Sequence, residues 1–128
     1  MATGFPAATG DVLSASMYNG LVTYTTNTQT ADYTAVLGDS YQTLMIMNKA
    51  TAIAFKLPTN ASAAIPVGSV ITVLNIGAGT CTISAATPAT TTVLSAGAVA
   101  ASPTLAQYKS AACIKTATDT WYVVGAIA

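Results

Sequence analysis

The sequence predicts an all-β chain, an antiparallel β-sandwich or barrel of about eight to ten short strands with an extended N-terminal arm and a short helix. Three observations carry this. Val70 to Ile76 is dominated by β-branched residues and meets a second strand-like run, Thr80 to Ser84, across the short turn Gly77-Ala78-Gly79, which reads as a hairpin. Thr51 to Leu57 alternates cleanly, with Ile53, Phe55 and Leu57 expected inward and Ala52, Ala54 and Lys56 outward. Similar short runs recur along the chain, separated by Gly, Pro, Asn, Asp and Ser.

Taken in order, residues 1–20 read as an attachment arm and residues 21–128 as the β domain. Met1 to Gly10 holds small residues and a single large one, Phe5. Asp11 stands where an N-cap would, ahead of a two-turn helix from Val12 to Asn19 that stops at Gly20. Leu13 and Met17 share one face of that helix with Tyr18 beside them. So short a helix forms only by docking, so Phe5, Leu13, Met17 and Tyr18 are the expected partner-docking residues.

Leu21 to Thr25, Ala31 to Leu37 and Tyr41 to Met47 are the first expected strands, with Thr26 to Thr30 a polar loop and Gly38-Asp39-Ser40 a turn. Val70 to Ile76 carries apolar groups on both faces, so both sides of that strand are expected to be covered. Ala85 to Pro103 is rich in Ala, Thr, Ser and Gly and reads as loop, with a weak strand around 91 to 95. Leu105 to Lys109, Ala111 to Ala117 and Thr120 to Val124 follow, the last two closed into a hairpin at Thr118-Asp119. Trp121 in the last strand is expected to pack beneath the sheet.

Charge is the most unusual feature. The 128 residues include four Lys, four Asp, and no Glu, Arg or His, so 6% are charged where about a quarter is usual. Leu57 to Tyr108 has no charged side chain. The apolar runs are too short for a membrane-spanning helix of about 18 residues or more. Four scattered lysines make no basic patch for nucleic acid. With 52% hydrophobic residues the chain is not a disordered one. A charge-poor surface is what an interface core requires, so a homo-oligomer is expected. No secretory signal pattern opens the chain, which implies synthesis in a cytoplasm, and Cys81 and Cys113 are then expected as buried free thiols.

Catalysis has little to work with. There is no His, Asp39 beside Ser40 reads as a turn cap rather than an acid beside a nucleophile, and Asp11 and Asp119 read as helix-cap and hairpin residues. The carboxylates and cysteines are spread singly, against a metal site. Gly77-Ala78-Gly79 opens no helix and lacks a phosphate-loop lysine. Asn60-Ala61-Ser62 matches a glycosylation acceptor, a signal too short to weigh in a chain with no export segment. The expectation is a chain with no enzymatic activity, cofactor or metal.

Tyr33-Thr-Ala-Val-Leu-Gly-Asp39, Ala52-Ile-Ala-Phe-Lys-Leu-Pro58, Ile65-Pro-Val-Gly-Ser-Val-Ile71, Gly77-Ala-Gly79 and Ile114 through Gly125 together resemble a β-rich module of tailed-bacteriophage virion proteins. The module occurs in capsid-decorating proteins and in head or tail fibres. Gly4 to Leu21, with Gly10 to Asn19 at its centre, is similar to the amino-terminal attachment stretches of phage structural proteins. The resemblance implies a noncatalytic, often trimeric module in the virion, with the major capsid protein or other virion subunits as partners. A cement or decoration protein on the capsid surface is the first reading, favoured by the absence of a separate recognition tip after the module. A head or tail fibre that contacts the host surface is the alternative, with Ala85 to Pro103 as its glycan-contacting loop, although that stretch has no aromatic residue.

Overall fold

The computed structural model describes residues 14–16, 19, 23–96, 98–99 and 101–127. Among them are eleven strands: β1 Thr25–Gln29, β2 Tyr33–Thr34, β3 Thr43–Met47, β4 Ile53–Leu57, β5 Val70–Asn75, β6 Cys81–Ala85, β7 Thr92–Ser95, β8 Ala98–Val99, β9 Thr104–Leu105, β10 Lys109–Ala117 and β11 Thr120–Gly125. A single 3-10 turn spans Leu37–Ser40. Phe5, Leu13, Met17, Tyr18 and the boundary at residue 20 lie outside the described residues. Of the expected helix, Ser14, Ala15, Ser16 and Asn19 are described; Ala15, Ser16 and Asn19 have helical backbone and Ser14 does not.

The fold is all-β, but it is mixed rather than antiparallel. Seven strands form one sheet in the order β1-β3-β5-β10-β11-β7-β8, and four form another in the order β2-β4-β6-β9. From β1 to β6 the chain alternates between the sheets, and each strand pairs in parallel with the strand two before it. The first half is therefore a coil. In the second half antiparallel pairs predominate: β10 lies between β5 and β11, β9 joins β6 and β8 joins β7, while β7 pairs with β11 in parallel. The expected hairpin at Thr118-Asp119 is the β10–β11 turn.

The hairpin expected at Val70 to Ser84 does not form, because β5 and β6 belong to different sheets. The turn between them is a corner that stacks on the preceding corner. Ile76 N donates to Met47 O at 3.0 Å, Gly79 N to Lys49 O at 2.9 Å, and Ile53 N to Thr80 O at 3.1 Å. A Cβ at Gly77 would stand 2.3 Å from Lys49 N, and one at Gly79 would stand 1.8 Å from Thr51 O. The two glycines are there for backbone approach, not for a left-handed turn. Asn75 fixes the corner from inside: it is fully buried, its Nδ2 donates to Gly79 O at 2.8 Å and Leu105 O at 2.9 Å, and its Oδ1 accepts from Gly77 N at 3.1 Å.

One core lies on the inward sides of both sheets. The larger contributes Met45, Met47, Ile71, Val73, Cys113 and Trp121, and the smaller contributes Ile53, Phe55, Leu57, Cys81, Ile83 and Leu105. Alternation in β3 and β4 places every second residue there, and Ile53, Phe55 and Leu57 point inward as expected. Both cysteines are buried and free. Burial pushes the Cys81 thiol up to about 11 and the Cys113 thiol higher still.

Three expected elements shift. The first strand is Thr25–Gln29, mostly the stretch expected to be polar loop, because parallel pairing with β3 supplies its ladder and an edge strand needs no apolar face. Ala31 to Leu37 shortens to Tyr33–Thr34, since Val36 begins the 3-10 turn instead. Leu105 to Lys109 reduces to Thr104–Leu105, and Tyr108 takes a positive φ of 66°.

Candidate functional site

The outward faces of the two sheets differ in chemistry. On the smaller sheet, cross-strand rows run Thr34, Lys56, Ser84 and Ala54, Thr82, Thr104. These are polar apart from one alanine. On the larger sheet, one row runs Thr26, Leu44, Thr72, Ala112, Val124, and the next runs Thr28, Ile46, Leu74, Ser110. A third runs Val70, Ile114, Tyr122, Leu94. None of these side chains is charged.

Among the described residues, no element packs over the apolar groups of the larger sheet's outward face. Val70 is 47% exposed, Tyr122 43% and Val124 50%, while Leu44, Ile46, Leu74, Leu94 and Ile114 are half-buried by their neighbours. The expectation that β5 is covered on both faces is therefore corrected among the described residues: Ile71, Val73 and Asn75 are buried, and the opposite face is open. Neighbouring apolar side chains across paired strands make a continuous patch, and such patches mark contact sites.

A second constellation lies inside, at the opening of the β10–β11 turn. Lys115 points inward from β10 and is 1% exposed. Its Nζ donates to Asn60 Oδ1 at 2.8 Å and to Ile65 O at 2.7 Å, and it lies 5.9 Å from the centroid of the Trp121 ring. Asp119 Oδ1 accepts from Asn60 N at 2.8 Å and from Thr91 Oγ1 at 3.4 Å, so the turn carboxylate holds the backbone of the same asparagine. Burial pushes the Lys115 ammonium down from its ordinary value, opposed by the negative charge of Asp119. The sequence pattern gave no signal for this group beyond one lysine at an inward position of a strand. Trp121 is fully buried, as expected, and its Nε1 has no hydrogen-bond partner among the described residues.

Asp39 is engaged elsewhere. Its Oδ2 accepts from Tyr33 Oη at 2.7 Å and from Val36 N at 2.9 Å, and its Oδ1 accepts from Asn27 Nδ2 at 3.0 Å. Ser40 Oγ donates to Leu37 O at 2.7 Å. The adjacent pair is thus a turn cap and not an acid with its nucleophile. Burial, with Asp39 reinforcing it, pushes the Tyr33 phenol up, and the Tyr33 ring stacks on Phe55 with centroids 6.4 Å apart. Asp32 Oδ1 accepts from Ala54 N at 2.9 Å, which ties the loop before β2 to β4.

The region expected as a loop after β6 includes β7 and β8, and it borders a cavity of about 250 Å3 lined by Ser84, Pro88, Thr91, Thr92, Val93 and Ser102 among others. No aromatic or charged side chain lines it. Among the described residues, no three of Cys, Asp, Glu or His converge on one point, and no helix is long and apolar enough to cross a membrane. No family model, curated protein or solved structure matches this chain.

Proposed function

We propose that this chain is a noncatalytic structural protein of a tailed-bacteriophage virion, a cement or decoration protein that oligomerises on the capsid surface and stabilises the head. The observation that carries the proposal is the contrast between the two outward faces. The larger sheet offers the uncharged rows through Leu44, Ile46, Val70, Leu74, Ile114, Tyr122 and Val124, and the smaller offers threonine, serine and lysine. A surface depleted of charge and rich in aliphatic and aromatic groups is the composition of an interface core. On this reading the larger sheet faces protein and the smaller faces water.

The shared core on the inward sides of both sheets supports a sandwich as the architecture of the β domain. A trimer is the assembly, and the major capsid protein is the partner, that the resemblance to phage β modules favours. The docking of Phe5, Leu13, Met17 and Tyr18 on a neighbouring subunit belongs to the same proposal. The polar engagement of Asp32, Asp39 and Asp119 in caps and turns supports a role without chemistry on a substrate.

Cryo-electron microscopy of particles that carry the protein tests this. The expected density lies on the outer shell, bridging neighbouring capsid subunits, with the seven-stranded sheet turned toward protein. Density confined to a fibre tip, with that sheet turned toward solvent, would overturn it.

A further inference from the structure

Lys115 combines three properties that rarely meet in one side chain. It is 1% exposed, both acceptors of its Nζ are neutral, and one of them is a side-chain amide. Buried charges are ordinarily paired with an opposite charge or hydrogen-bonded on every side, since leaving water is costly. A neutral amine in the same position costs far less, and it is a nucleophile held against a carboxamide.

We propose that Lys115 and Asn60 condense into an intramolecular isopeptide bond, with Asp119 as the proton carrier. Nζ donates to Asn60 Oδ1 at 2.8 Å, which holds the amine against the carboxamide, one bond away from its electrophilic Cγ. Such fixed proximity replaces a bimolecular encounter with an internal one. The carbonyl of Ile65 holds Nζ from a second side at 2.7 Å, and the buried Trp121 ring lies beside it. Desolvation of this kind is what turns a lysine into a nucleophile. Asp119 is bonded to Asn60 through the backbone N–H at 2.8 Å and forms no ion pair with Lys115, so its carboxylate takes the proton only once Nζ turns from the Ile65 carbonyl toward it; until then the Asp119 charge favours the ammonium.

The step balances without an oxidant, reductant or co-reactant. The Lys115 ammonium gives one proton to the Asp119 carboxylate, and the freed lone pair on Nζ attacks Cγ of Asn60. A C–N bond forms to Nζ and the C–N bond to Nδ2 breaks. Asp119 returns its proton to the departing nitrogen. Of the three ammonium protons, one stays on the new amide and two leave with Nδ2 as ammonium, so Asp119 ends as a carboxylate. The product ties together two residues 55 positions apart, the loop after β4 and strand β10. A cross-link that spans so much chain constrains the unfolded state strongly.

The intact mass of the full chain under denaturing conditions, followed by peptide mapping, tests the proposal. After allowance for removal of Met1, the mass is expected to fall short of the sequence by one ammonia, with a branched peptide joining the segments that hold Asn60 and Lys115. A chain at its full sequence mass overturns the proposal. So does an ammonia loss confined to a linear peptide, which would be closure of Asn60 on its own backbone. Lys115→Met and Asp119→Asn, each checked for fold by circular dichroism, are expected at their full sequence masses. Asp119→Asn keeps an oxygen for the Asn60 N–H and loses the acid, so a branched peptide in that variant would overturn the role given to Asp119.

Discussion

Asn75 Nδ2 donates to the Leu105 carbonyl at 2.9 Å, and this buried bond runs from the seven-stranded sheet to the four-stranded one. The same nitrogen holds Gly79 O and the same side chain accepts from Gly77 N. One asparagine thus satisfies three backbone groups at the corner where the chain changes sheet. Asn75→Ala leaves them without it, and an orphaned buried polar group costs about 1–3 kcal/mol. The expected loss is about 3 kcal/mol or more, read as a lower denaturant midpoint with an unchanged slope. A midpoint within error of the native one would show that the corner holds without this side chain.

Corner stacking predicts a sharp difference between glycines. Gly79→Ala places a methyl group 1.8 Å from Thr51 O, whereas Gly38→Ala meets nothing within 4 Å. Thermal melts should show Gly38→Ala near the native value. Gly79→Ala should lose about 3 kcal/mol, at the upper end of overpacking costs, or fail to fold. Equal melting temperatures would contradict parallel stacking of the corners 48–52 and 76–80.

Trp121→Ala removes the largest buried side chain and one wall of the Lys115 site. Large-to-small changes of this kind cost about 3–5 kcal/mol, much of a typical domain's stability. The native protein should show blue-shifted indole emission that moves to the red on unfolding. Red-shifted native emission would be incompatible with a buried Trp121.

Alkali should destabilise the fold. Burial raises Cys81 from 9.0 to about 11, and it raises Cys113 and Tyr33 as well. A group held protonated by the fold contributes stability that is fully present below its unfolded value and is lost as pH rises through its folded value. Denaturant midpoints are therefore expected to be flat near neutrality and to fall between pH 9.0 and about 11, the three raised groups outweighing Lys115, whose lowered value works in the opposite direction. Cys81→Ala should make that decline shallower. A rising midpoint over the same range would contradict the assigned directions.

What could be read from the sequence was what is local. The alternation of Ile53, Phe55 and Leu57 and the tight turn at Thr118-Asp119 depend on neighbouring residues, and both stand. Gly77-Ala78-Gly79 has the same composition whether it closes a hairpin or makes a corner, and the choice depends on a partner some 28 residues earlier, as in Ile53 against Cys81. The one local sign of a corner was Asn75, a polar residue at an inward position of an apolar strand. The polar β1 was hidden because ladder bonds need no apolar side chain. Apolar groups on both faces of Val70 to Ile76 were legible, and the open one belongs to the candidate contact face. Lys115 was not, because its significance lies in Asn60, 55 positions away.

The most direct measurement is the solution mass of the full chain by multi-angle light scattering at micromolar concentration, beside a Val70→Lys, Val124→Lys variant that puts two charges on the open face. The native chain is expected at a multiple of the single-chain mass, three on the reading favoured here, and the charged variant at one chain with a similar melting temperature. A native chain at the mass of one subunit, or a charged variant that stays fully assembled, would contradict the assignment of the seven-stranded sheet as the contact surface.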